Sequence, residues 1–148
     1  MVTMLRSLVF VAALACVAAL PMASSAAWQP QGGIVEPTPL ETNHPRAKQA
    51  AALVEQLLAG NRDAVLKILR TEGTAEVAAS ADIETTVDTQ IARLAQKGYK
   101  IDQFMTGRGA DVIVELVGAK AEDTNIVIRF TLDEPHRIEG FAQAMMAG

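Results

Sequence analysis

Few side chains in this chain are equipped for covalent chemistry. Its serines are Ser7, Ser24, Ser25 and Ser80, and its one cysteine is Cys16. All but Ser80 fall in the first 27 residues. Ser80 is followed three places on by Ile83, so there is no S-x-x-K, and no G-x-S-x-G occurs anywhere. Nucleophilic catalysis by serine or cysteine is therefore excluded for the remainder. The two histidines, His44 and His136, stand far apart with no second histidine or cysteine at ligand spacing, so no zinc-type site is expected. Glu122 and Asp123 lack the calcium-loop pattern around them, and the GRGAD segment, Gly107 to Asp111, lacks phosphate-loop spacing. No metal and no cofactor are expected.

Acid–base chemistry is what this inventory leaves open. It needs a carboxylate whose proton affinity is raised by apolar surroundings, near a donor. The candidates are Glu115, in the apolar run VIVELV, then Asp102 and the sole tyrosine, Tyr99. Candidate ligand-binding side chains are Tyr99, Glu115, Arg129 and His136. Each has a structural use as well. Glu115 with Arg129 makes an ordinary cross-strand ion pair, Tyr99 packs its ring at a strand start, and His136 after Pro135 serves a turn.

The elements that must position these residues are helices first and strands afterwards. Pro45 suits a first helical turn, and Ala50, Leu53, Val54, Leu57 and Leu58 recur at helical spacing up to Gly60. Asn61 can cap a second helix carrying Val65, Leu66, Ile68 and Leu69, which ends near Thr71. A third begins at Ser80 or Asp82 and runs through Ile83, Val87, Ile91 and Leu94 to a glycine stop at Gly98. The period then changes to two. Tyr99 to Thr106, Asp111 to Gly118, Asn125 to Leu132 and Arg137 to Ala142 read as strands of an antiparallel meander.

Two placements follow from strict alternation. Tyr99, Ile101, Gln103 and Met105 share one face of the first strand, with Asp102 on the other. Burying the most apolar side chains between the second and third strands sets Val112, Val114 and Leu116 opposite Leu132, Phe130 and Ile128. That register puts Glu115 opposite Arg129.

The amino end is patterned for export. Arg6 precedes an apolar run, Leu8 to Leu20, then Pro21 and small residues to Ala27. This is signal-peptide order, with cleavage near Ala26 or Ala27, and the run is shorter than the roughly 20 residues a membrane span requires. Lipid attachment at Cys16 is the weaker alternative, because the apolar run continues past it. The expected product is a secreted or periplasmic protein with no membrane association after cleavage. Losing residues 1–27 removes one of the 13 basic residues and none of the 17 acidic ones, so the exported part is more negative than the chain's −4. That balance excludes nucleic acid as a partner. It also removes Cys16, so no disulfide is available and an apolar core must supply the stability. Residues 28–46, with Pro30, Gly32, Gly33, Pro37, Pro39 and Pro45, read as a flexible linker, and residues 47–148 as one α+β domain.

The segment ALVEQLLAGNRDAVLKIL, Ala52 to Leu69, resembles the opening of nuclear-transport-factor-2-like, or SnoaL-like, domains. The segment IVIRFTLDEPHRIEGFA, Ile126 to Ala142, is similar to their closing hairpin as it stands ahead of the catalytic domain in secreted serine hydrolases of the β-lactamase-like group. The resemblance implies helices packed on a curved antiparallel sheet, a cone enclosing a pocket, and a role in catalysis, binding or dimerisation. Fold alone does not choose among these. The expectation is a non-enzymatic domain that binds a small apolar ligand or a protein, or pairs as a homodimer. A pocket enzyme using a carboxylate, and an accessory domain acting with a separate serine hydrolase, are the alternatives.

Overall fold

A computed structural model describes residues 36–144. Residues 1–35, on which the expected export signal, its cleavage region and Cys16 fall, lie outside the described residues. The helices among the described residues are α1 (Pro45–Ala59), α2 (Arg62–Glu72), α3 (Ala75–Ala79) and α4 (Ile83–Leu94). The strands are β1 (Thr38–Leu40), β2 (Lys100–Thr106), β3 (Val112–Val117), β4 (Thr124–Phe130) and β5 (Ile138–Ala144). They form one five-stranded antiparallel sheet in chain order, and the class is α+β.

Local chemistry sets the helix ends. His44 caps α1, its Nδ1 accepting from the Arg46 amide at 3.2 Å, and Pro45 fills a position whose missing N–H costs nothing. Gly60 ends α1 in the left-handed conformation, φ 71°, which a residue with a Cβ reaches only at a cost. Asn61 Oδ1 caps α2 by accepting from Ala64 N, and Thr74 does the same for α3 through Val77 N. Helix α4 stops at Leu94, short of Gly98, because the chain turns at Gln96 and Gly98, both with positive φ. Helix α3 occupies a stretch with no apolar stripe, and none of its residues is buried.

Helix α1 lies against β2 and β3, α2 and α4 pack on α1 and on each other, and α3 sits beside β5. The core is the layer between. Ala47, Ala50, Leu53, Val54 and Leu57 of α1 are fully buried, as are Val65 of α2 and Val87 of α4. Opposite them stand Val112, Val114, Leu116, Ile126, Ile128, Phe130 and Ile138, none more than 2% exposed. Arg62 straps α2 to α4 through Asp88 at 2.7 Å and Glu84 at 3.7 Å.

The structure changes three expectations. Thr38–Leu40, placed in the linker, is an edge strand whose Pro39 stands beside Met105. Strand β2 carries a bulge at Asp102, so Ile101 pairs with Leu116 on the helix side whereas Gln103 pairs with Glu115 on the opposite side. The single face assigned to Ile101, Gln103 and Met105 is thereby broken. The β3–β4 register also differs, since Glu115 faces Asn125, not Arg129, and Val112 faces Ile128. The slide is even, so every side chain keeps its face. Leu132 falls outside β4 and is 75% exposed, which removes the apolar partner that the expected register assigned to Val112.

Candidate functional site

With the helix side of the sheet filled, functional groups concentrate on the opposite face. Strand registers arrange that face in rows running across the sheet. One row is apolar from edge to edge: Pro39, Met105, Ile113, Val127 and Ala142. The row beside it is polar through Gln103, Glu115 and Asn125 and ends at the apolar Ala144 on β5. On the other side lie Asp111 and Arg129, followed by Gly140. The middle members of the apolar row, Met105, Ile113 and Val127, are half-buried, on the face turned away from the described helices.

Glu115 takes its place in the polar row, where its carboxylate accepts a hydrogen bond from Gln103 Nε2. Arg129 is two positions further along β4 from Val127, and its Nε lies 3.6 Å from Asp111 Oδ1. Glu115 and Arg129 thus share a face without being paired, and the apolar row separates them.

The other candidates are scattered. Tyr99 lies immediately before β2, where its hydroxyl donates to the Glu122 carbonyl at 3.1 Å and ties that end of the sheet to the β3–β4 turn. Asp102 is exposed on the bulge. His136 belongs to the β4–β5 turn, where its Nδ1 donates to the Thr131 carbonyl at 2.7 Å and its own carbonyl accepts from Gln49 of α1 at 3.3 Å. Its ring closes the turn and its backbone fastens the turn to the first helix. Tyr99, Glu115, Arg129 and His136 do not converge.

Asp111 is not among the candidates the sequence offers, yet among the described residues it is the acid that burial perturbs. It is 8% exposed, and burial pushes its carboxyl above the ordinary aspartate value. Glu139 adds to that push, whereas Arg129 and Arg46 oppose it. Arg46 reaches the same corner from α1, where its Nη1 donates to the Ala110 carbonyl at 2.6 Å while its Nε is buried without a hydrogen-bond partner among the described residues. The signal available in the sequence was an acid heading an apolar strand directly after a glycine turn. Only the true register shows which arginine it meets.

Among the described residues no three His, Cys, Asp or Glu side chains gather in an arrangement able to hold a metal ion. No helix among them is long and apolar enough to cross a membrane. No family model, no curated protein and no solved structure matches this chain.

Proposed function

We propose that this chain is an exported, non-enzymatic binding domain of the cone-shaped SnoaL-like class, whose open sheet face receives a protein partner. One observation carries the proposal: an unbroken apolar row, Pro39 to Ala142, crosses five strands on the face turned away from the described helices. Apolar side chains in line, flanked by a polar row and a charged pair, have the composition of an interface centre with a polar rim. The side facing the helices is filled by aliphatic and aromatic side chains, which favours the open face as the place of contact over a cavity beneath the sheet. Glu115, hydrogen-bonded to Gln103 on that face, is suited to a polar contact at the rim.

An apolar fluorescent dye tests this directly. It should bind the folded chain and lose most of that binding in Ile113→Lys, with the thermal transition retained. Equal binding by the variant would remove the support for the open face. Turnover of an ester, lactam or ketosteroid substrate that Glu115→Gln abolishes would replace the binding role with catalysis. Export is tested separately by amino-terminal sequencing of the secreted product, which should begin at Ala27 or Trp28.

A further inference from the structure

The two edges of the sheet are treated differently. Strand β1 presents only Thr38–Leu40 and holds Pro39, which lacks an amide hydrogen, so that edge is short and interrupted. Strand β5, Ile138–Ala144, has neither proline nor lysine. Its first residue is occupied, because the Ile138 carbonyl accepts from Thr74 N at 2.9 Å and Gly73 bridges to it in parallel. Glu139 is spent on a bulge, since Phe130 pairs with Ile138 and Arg129 with Gly140. From Gly140 to Ala144 the strand pairs with β4 on its inner side, and no described strand lies along its outer side. Natural sheets seldom leave such a stretch without a charge or a proline to deter pairing.

The residues of this stretch are self-complementary. In an antiparallel pair centred on Ala142, Gly140 meets the partner's Ala144, and Phe141 meets the partner's Gln143. The open face would then carry only glycine and alanine at the junction, and Glu139 would not meet its own copy. The same centring joins the apolar row of one copy, which ends at Ala142, to the row of the other. A contact at any neighbouring residue would break that line.

We infer that a second copy of this chain adds along β5, antiparallel and centred on Ala142, to make one continuous ten-stranded sheet. The edge contact stands without the proposed binding role, and only the choice of register draws on the apolar row. The row then runs unbroken through both copies and doubles the length of the face offered to a partner.

Light scattering over a concentration series of the full chain, paired with amide hydrogen exchange, tests this. The expected result is a dimer whose Gly140–Ala144 segment exchanges about tenfold more slowly than at dilutions where the dimer dissociates. Ala142→Lys sets two like charges face to face and should yield a monomer whose thermal transition matches that of the wild type at dilutions where the dimer dissociates. Ile113→Lys, on the open face away from the edge, should remain dimeric. A monomer at every concentration, or a dimer with no added protection in Gly140–Ala144, would overturn the inference. So would a dimer that Ile113→Lys dissociates and Ala142→Lys does not. Dye binding lost in Ile113→Lys while dimerisation persists separates the two proposals.

Discussion

Asp111 Oδ1 and Arg129 Nε stand 3.6 Å apart across neighbouring strands, at the corner where the β2–β3 turn meets the first helix. The acid is the more buried of the two, and loss of hydration outweighs the two arginines that favour its charge. Its carboxyl therefore holds a proton to higher pH in the folded chain than in the unfolded one. The folded state then binds more protons over that interval, and stability falls as pH rises through it. The contribution is fully present below the ordinary value of 3.8 and is lost as pH climbs through the raised one. Asp111→Asn, which cannot titrate, should lack this slope. Denaturant midpoints across a pH series should show wild type losing ground to the variant from about pH 4 upward. Parallel profiles would remove Asp111 as a titrating group.

Glu115 makes its hydrogen bond from a half-exposed position, with the Gln103 amide as donor. Glutamine in its place offers an amide oxygen at the same reach. Glu115→Gln should shift stability by no more than about 0.5 kcal/mol, as surface changes away from packed sites do. A loss several times larger, measured by urea denaturation, would mean that the charge is used structurally and that the rim position is wrong.

How far such positions can be read from the residues depends on how local their causes are. Helices α1 and α2 are legible because Pro45, Gly60 and Asn61 act on their own backbone. The four long strands are legible because alternation needs no distant partner, and an even register slide leaves it intact. The pairing of Arg129 is different in kind. Whether it meets Glu115 or Asp111 depends on where β4 stops, and Leu132 in the turn satisfies the same hydrophobic rule on paper as in a strand. The bulge at Asp102 is likewise invisible, since it arises from how β2 must bend to keep both Ile101 and Phe104 turned toward the helices. Edge strand β1 escaped notice because proline-rich composition signals a tether and three paired residues are too few to outweigh it.

Gly73 illustrates a constraint of space, since its φ of −77° is open to any residue. It is buried at the end of α2, and a methyl group there would collide with the Leu69 carbonyl oxygen and press on Val77 Cγ1. The same residue bridges to Ile138, so it cannot retreat without disturbing the start of β5. Gly73→Ala should cost about 1–3 kcal/mol, the range for overpacking, with a matching fall in Tm. Unchanged Tm would show that the α2–α3 junction yields freely.

The first two helices offer a graded pair of changes that separates core packing from capping. Leu57 is fully buried where α1 faces the rest of the core, and truncating it leaves a void that neighbours anchored in both layers cannot fill. Leu57→Ala should cost about 2–5 kcal/mol. Asn61 is exposed and its contribution is a single bond from Ala64 N at 3.3 Å, so Asn61→Ala should cost only about 1 kcal/mol. The two positions lie within a few residues of each other, so their sequence context is nearly shared and burial is the main difference between them. Chemical denaturation of both variants should therefore return the larger loss at Leu57. The reverse order would place the stability of this segment in its turn instead of in the layer between helices and sheet.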